Sequence, residues 1–179
     1  MLFRPESVTE FAIQTPQMQP LVAMIEEMAA ATREALGEER IDWLSRLPRV
    51  QIQGPIALVH ASRESPWRSP THTASDAELE SVYGPLGQPI AVYGHTHHPY
   101  IRRPYIRGSA GVIVANSGSV SLSYDGDRRA SYLLLDDSGP AIRRVEYDVD
   151  REIKALSHCG FPHADWIAKI LASASPQMP

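Results

Sequence analysis

The sequence contains little of several residue types on which whole functional classes depend. It has a single cysteine, Cys159, which excludes an internal disulfide framework and a zinc site of several thiolates, and which is typical of a reducing cytosol. Residues 1–14 carry two acids and no long apolar core, unlike a secretory signal. No apolar run approaches the roughly 18 residues that a membrane span needs. These absences predict a cytoplasmic protein without a membrane segment.

Positive charge is also scarce. Lysine and arginine number 17 against 21 aspartate and glutamate residues, which gives a net charge of −4. A general nucleic-acid binder would carry a basic face, so this balance argues against one. A length of 179 residues with 43% hydrophobic residues is enough for one domain with a core. We predict a single domain over residues 1–179.

The spacing of apolar residues changes along the chain. Helical spacing near the start gives way to short apolar runs that are typical of strands, and glycine separates the first two helices. Helices are predicted at 21–36, 38–47, 76–83, 151–156 and 165–171, and strands at 50–53, 56–59, 90–93, 100–107, 111–115, 130–135 and 141–147. Helix–strand alternation followed by strand pairs indicates an α/β fold with mixed sheets.

Histidines follow two predicted buried strands at the point where each strand ends. His60 follows the run 56–59, and His95 and His97 follow the run 90–93 in a Gly-His-Thr-His segment. The carboxyl ends of strands in an α/β sheet open onto the crevice where such folds bind ligands. Imidazole is the commonest metal ligand in proteins and suits Mn, Fe, Co, Ni and Zn. We therefore predict that these three histidines bind one metal or two adjacent metals.

The other histidines carry weaker signals. We interpret His72, His158 and His163 as structural, and His98 as a surface or substrate-facing residue. The segment 125–127, Asp-Gly-Asp, lacks the alternating acids and distal glutamate of an EF-hand calcium loop, so it predicts a hairpin turn.

Several segments together resemble the calcineurin-like metallophosphoesterase superfamily, and within it the small bacterial phosphodiesterases. Segment 94–97 looks like the family's last metal motif, Gly-His-x-His, and segment 58–62 looks like the preceding strand that ends in a metal-binding histidine. Segment 116–120 is similar to Asn-Pro-Gly-Ser-Val, with serine in place of the proline, and the run 125–132 also fits. The matches come in the expected order between about residues 38 and 148.

The resemblance implies part of a four-layer α-β-β-α sandwich around two divalent metals, which would be Mn, Fe, Zn or Ni. It implies that His60 and His95 bind one metal and His97 the other. The family's Asp-x-His, Gly-Asp and Gly-Asn-His motifs precede these segments. This chain has no Asp-x-His or Asn-His, and its one Gly-Asp pair comes at 126–127. We therefore expect the chain to correspond to the carboxyl-terminal part of such a domain, with the catalytic acidic residues outside it.

The implied activity is that of a metal-dependent phosphoesterase, above all a phosphodiesterase, in which a metal-activated hydroxide attacks a small phosphoester substrate. Thr96, Asn116, Arg102 and Arg103 are weaker candidates for binding that substrate, the arginines because a guanidinium suits a phosphate. For the chain alone we expect weak activity or none, because three neutral imidazoles offset none of the charge of two cations.

Two alternatives stay open. The first is a non-catalytic remnant with a vestigial or one-metal site that acts through binding or oligomerisation. The second is a mononuclear zinc hydrolase with three histidine ligands and one open position. Absence of the first strands of the family's sheet would leave apolar edges exposed, so the pattern favours homo-oligomers formed through a sheet edge.

Overall fold

The computed structural model describes residues 19–104 and 111–178, which form two compact units. The helical unit comprises residues 19–47, Asp148–Ala172 and 176–178, and the β unit comprises Pro48–Tyr147, apart from 105–110, together with Ser173–Ser175. The single domain expected over residues 1–179 stays a prediction.

The helical unit contains three helices: α1 (Gln19–Ser45), α3 (Val149–Leu156) and α4 (Ala164–Ser173). Helix α1 is interrupted at Gly37, whose φ of 73° and ψ of 162° are open to glycine because it has no Cβ. The two helices predicted on either side of this glycine are therefore confirmed. No helix in the described part of the chain is long and apolar enough to cross a membrane.

The β unit is built on a five-stranded mixed sheet in the order β1-β2-β3-β5-β4. Its strands are β1 (Val50–Gln53), β2 (Ile56–Val59), β3 (Ile90–Tyr93), β4 (Tyr100–Arg102) and β5 (Ile113–Asn116). Strands β2, β3 and β5 run parallel, whereas β1 and β4 pair antiparallel at the two edges. An antiparallel pair, β6 (Ala130–Asp136) and β7 (Gly139–Val145), forms a second sheet.

Short apolar strands and one helix supply the core of the β unit. Helix α2 (Asp76–Tyr83) begins at Ser75, whose hydroxyl accepts a hydrogen bond from Glu78 N at 3.2 Å, as an N-cap does. The helix buries Leu79 and Tyr83 completely against the sheet. In β2 and β3 every second residue is buried and the residues between them are partly buried. Neither face of these strands is fully exposed, and their sequences are therefore continuous apolar runs.

The ends of strands β4 and β5 differ from the predicted ones. Strand β4 ends at Arg102, while most of the rest of the predicted strand 100–107 lies outside the described residues. Strand β5 starts at Ile113 and continues to Asn116, because the chain bends at Gly111 with a φ of 65°. The mixed five-stranded sheet and the helices of the chain confirm the α/β fold class.

Candidate metal centre

The three site histidines, His60, His95 and His97, leave the same edge of the five-stranded sheet. Strands β2 and β3 are parallel and in register, so their carboxyl ends lie side by side. Gly94 N donates a hydrogen bond to His60 O at 3.0 Å and thereby joins the two loops directly beyond the strands. The parallel pairing therefore brings together histidines that are distant in the sequence.

Two of the site histidines have adjacent rings. The ring centroids of His60 and His95 are 5.3 Å apart, and the ring planes meet at 70°. Two imidazole nitrogens about 2.1 Å from one tetrahedral cation leave their rings at a comparable separation. Within residues 19–104 and 111–178, however, no group of three or more His, Cys, Asp or Glu residues is arranged to hold a metal ion. The structure brings a pair of candidate ligands together, and His97 does not complete a three-ligand group.

Backbone carbonyls orient the rings of His95 and His97. His95 Nε2 lies 3.1 Å from Trp67 O, and His97 Nδ1 lies 2.7 Å from Leu122 O. A carbonyl oxygen only accepts hydrogen bonds, so each of these nitrogens must carry the proton. The lone pair available to a cation is therefore on Nδ1 of His95 and on Nε2 of His97. Fixing a tautomer through the second ring nitrogen is typical of metal-binding histidines.

His95 and His97 both occupy the left-handed backbone region, with φ of 63° and 56°. This conformation costs a residue with a side chain roughly 1–2 kcal/mol, because its Cβ crowds the following carbonyl. Strain of this kind persists where the surrounding structure enforces it, and it is concentrated at functional sites. Thr96 N donates to Gly94 O at 2.7 Å and closes a very tight turn around His95.

Asn116, at the end of β5, holds this turn in place. The residue is completely buried, and its Nδ2 donates to Gly94 O at 2.6 Å and to Thr96 Oγ1 at 2.9 Å. Its Oδ1 accepts a hydrogen bond from Gly118 N at 2.9 Å. Asn116 therefore supports the turn from a completely buried position, and the Thr96 hydroxyl accepts one of its hydrogen bonds. Contact of Asn116 or Thr96 with a substrate stays a prediction.

The surroundings keep the site histidines neutral. Desolvation is the main cause that lowers the pKa of all three below the ordinary value of 6.5. His60 is exposed, so its desolvation is partial, and repulsion from the other two lowers its pKa further. The carbonyl hydrogen bonds of His95 and His97 oppose this shift without reversing it. Neutral imidazole is the form that binds a metal.

One of the two arginines predicted to bind substrate is engaged with other partners. Arg102 forms an ion pair with Asp76 and donates a hydrogen bond to Ala74 O, which ties β4 to the start of α2. Arg103 is exposed. Contact of either guanidinium with a phosphate stays a prediction.

The carboxylates of the Asp-Gly-Asp segment are engaged with arginines. Asp125 pairs with Arg144, and Asp127 pairs with Arg129 at 2.7 Å. The hydrogen bond from the Arg129 side chain is the main cause that lowers the pKa of Asp127 to about 2. These ion pairs make the carboxylates poor candidates for metal ligands. The segment is a bend and not the predicted hairpin turn, because β5 before it and β6 after it belong to different sheets.

Sequence reasoning missed three rings beside the site. His72 was interpreted as structural, yet its ring stacks on that of His98, with centroids 4.1 Å apart. Tyr124 lies 4.7 Å from the His97 ring, and Trp67 lies 6.5 Å from the His95 ring. All three missed rings come from irregular segments without a periodic pattern, so the only signal in the sequence was a histidine or aromatic residue within a polar loop.

The donor set fits one divalent cation better than two. Imidazole nitrogens with fixed tautomers suit Zn, Mn, Fe or Ni. A pair of cations would need carboxylates to offset their charge, and no such carboxylate group is present among the described residues. Two metals are therefore not supported by this chain's own residues.

No protein-family model and no curated protein matches the chain. The crystal structure of a metallophosphoesterase from Sphaerobacter thermophilus is similar to it, with a TM-score of 0.65 and 24% sequence identity over 79% of this chain and 64% of that chain. The crystal structure of a hypothetical protein from Pyrococcus horikoshii OT3 is similar with a TM-score of 0.66 and 19% identity, over 80% of this chain and 57% of that chain. The fold is therefore shared with a metallophosphoesterase, and this chain spans less than two thirds of either protein.

Proposed function

We propose that the chain carries the histidine part of the metal centre of a metal-dependent phosphoesterase of the calcineurin-like superfamily. Within that class we propose a phosphodiesterase that acts on a small phosphoester. The observation that carries the proposal is the meeting of His60 and His95 at one sheet edge, with ring centroids 5.3 Å apart. The shared fold and the strained backbone of the Gly-His-Thr-His turn support it.

Each site histidine has a defined part in this proposal. His60 and His95 would hold one cation. His97, two residues after His95 in the same turn, would face the position of a second cation. A divalent cation bound there supplies Lewis-acid polarisation of a phosphoryl oxygen. The chain's own contribution is to orient the imidazoles of His95 and His97 through the carbonyls of Trp67 and Leu122. Desolvation keeps the site histidines neutral.

Calorimetric titration with Zn²⁺ and Mn²⁺ tests the proposal. We expect about one cation per chain for the full chain, and loss of binding in His60→Ala and in His95→Ala. His158→Ala is the matched control, because His158 is an exposed histidine of the helical unit. Absence of metal binding by the full chain, or equal weakening by the control, would overturn the proposal.

The second candidate is a non-catalytic metal-binding module. The specific observation in its favour is that no acidic group is arranged beside the histidines within the described residues. Turnover of an aryl phosphodiester by the chain with added Mn²⁺ would exclude the module, whereas absence of turnover fits both functions, because weak activity or none is expected of the chain alone. The module predicts metal binding with no hydrolysis, whereas turnover near 1 per second, at the low end of ordinary enzymes, would establish an enzyme.

Association through a sheet edge is a further part of this proposal. Among the described residues, strand β1 pairs with β2 alone, and Ile52 on it is 50% exposed. An unprotected edge with apolar side chains favours pairing with another chain. Light scattering on the Ile52→Lys variant tests it, because a lysine on an edge strand opposes association.

A further inference from the structure

A cluster of three rings lies beside the candidate metal centre. This ring cluster comprises His72, His98 and Tyr124. His72 and His98 stack with their planes 10° from parallel, and Tyr124 lies 6.4 Å from His98 on one side and 4.7 Å from His97 on the other. The fold brings His72, from the loop between β2 and α2, onto a residue that follows β3. None of the three belongs to the buried core of the β unit.

The angle between the stacked imidazoles determines whether the two rings can chelate one cation. Two chelating histidines must direct their lone pairs at one cation about 2.0–2.1 Å from each nitrogen. The lone pairs of an imidazole lie in its ring plane. Because the rings of His72 and His98 are stacked almost parallel, with centroids 4.1 Å apart, their lone pairs lie in two separate planes and do not meet at one point. The pair therefore presents ring faces and not a chelating site.

The cluster is accessible and held in position. His72 is exposed, and His98 and Tyr124 are partly exposed. His98 Nδ1 donates a hydrogen bond to Thr96 O at 2.9 Å, and Tyr124 N donates to His97 O at 3.3 Å. These bonds fix two of the rings to the same turn that carries the site histidines. A surface that is already ordered before a ligand arrives binds at a smaller entropic cost.

We propose that the ring cluster is a binding subsite for a planar aromatic group attached to the phosphoester. The inference rests on the proposed function, because it places the phosphate beside the site histidines. The Tyr124 ring centroid lies 4.7 Å from that of His97 and 6.4 Å from that of His98, so this ring connects the two positions. The outer face of His72 is then the surface on which a flat group stacks. Aryl phosphates and nucleotides both consist of a planar aromatic group attached to a phosphate.

Binding measurements with matched probes test the subsite. Phenyl phosphate, adenosine monophosphate, ribose 5-phosphate and inorganic phosphate are titrated into the full chain, with and without Zn²⁺, while the imidazole C–H resonances are followed by NMR. We expect the two aromatic probes to shift the resonances of His72 and His98 and to bind roughly 2- to 10-fold more tightly than the two others. Whichever of phenyl phosphate and adenosine monophosphate binds more tightly identifies an aryl phosphate or a nucleotide as the preferred ligand.

Variants of His72 separate stacking from other roles. His72→Ala should remove the preference for aromatic probes, whereas His72→Phe should keep it, because phenylalanine retains a ring face without ligand nitrogens. His158→Ala, in the helical unit, should leave all four affinities unchanged. If the His72→Ala variant does not fold, the His72→Phe variant still tests whether a ring face at this position is enough for the aromatic preference.

Three results would overturn the subsite: equal affinities for all four probes, no resonance shift with either aromatic probe, or loss of the preference in His72→Phe. The Zn²⁺ titration keeps this test distinct from that of the proposed function. Failure of Zn²⁺ binding with intact resonance shifts would refute the metal centre and leave the ring surface in place. Normal Zn²⁺ binding without aromatic preference would refute the subsite alone.

Discussion

Replacement of Asn116 by alanine should damage the Gly-His-Thr-His turn more than the rest of the β unit. The change removes two donors, to Gly94 O and Thr96 Oγ1, and one acceptor, for Gly118 N. Because Asn116 is completely buried, water does not replace these partners without rearrangement. The left-handed conformations of His95 and His97 would then lose the side chain that holds them.

The magnitude follows from the number of hydrogen bonds. A buried hydrogen bond contributes a net 1 ± 0.5 kcal/mol, so three of them correspond to about 3 kcal/mol of unfolding free energy. Loss of a residue that orients metal ligands typically lowers metal affinity by about 10- to 100-fold. We therefore expect Asn116→Ala to lower both quantities, and Thr96→Val, which removes one of the three bonds, to lower stability by about 1 kcal/mol.

Hydrogen exchange of β3 and β5 amides measures the stability of the β unit, and calorimetry with Zn²⁺ measures metal affinity. Leu79→Ala is the matched control. Leu79 is completely buried in α2, so its truncation should cost about 2–5 kcal/mol while leaving the turn intact. An Asn116→Ala protein that binds Zn²⁺ like the wild type, or a Leu79→Ala protein that loses as much affinity, would refute this reasoning.

Three further predictions follow from the same unit. Gly118→Ala places a Cβ 2.8 Å from Ser131 Oγ at a φ of 74°, so urea denaturation should show a loss of about 2–4 kcal/mol. Gly126→Ala has a similar φ of 81° with nothing within 4 Å and should lose only about 1–2 kcal/mol; equal losses would contradict the steric argument. The lowered pKa of the three site histidines means that the unfolded chain binds more protons below about pH 6.5. The unfolding free energy of the metal-free chain should therefore fall as the pH drops from 6.5 through the folded-state pKa values, and these histidines should not change it above pH 6.5. Replacing all three histidines by glutamine should remove this part of the pH dependence. Arg129→Gln should raise the pKa of Asp127 from about 2 towards 3.8 in an NMR titration; an unchanged value would assign the shift to other groups.

The strands and helices could be predicted because each has a local signal. Continuous apolar runs marked β2 and β3, and Ser75 before an acidic first turn marked α2. The same runs predicted that His60 and His95 leave one sheet edge, since parallel strands align their carboxyl ends. The α/β class followed from the order of these elements.

The contacts around the site could not be predicted, because they depend on pairs that are distant in the sequence. Asn116 supports the Gly-His-Thr-His turn because the pairing of β5 beside β3 places its side chain under that turn. His72 lies in a polar loop, and nothing in the sequence indicates that this loop folds back onto His98. The left-handed φ of His95 and His97 is likewise imposed by neighbours and not by residue preference.

The dependence of the Gly-His-Thr-His turn on Asn116 has a consequence for fragments of the chain. A synthetic peptide covering residues 90–98 would contain both imidazoles of that turn but lack the amide that restrains its backbone. Freed from that restraint, both histidines would revert to negative φ, and the direction of their side chains would change with it. Cation affinity measured on such a peptide would describe a random coil, whereas the orientation found in the protein exists only once two distant strands have paired.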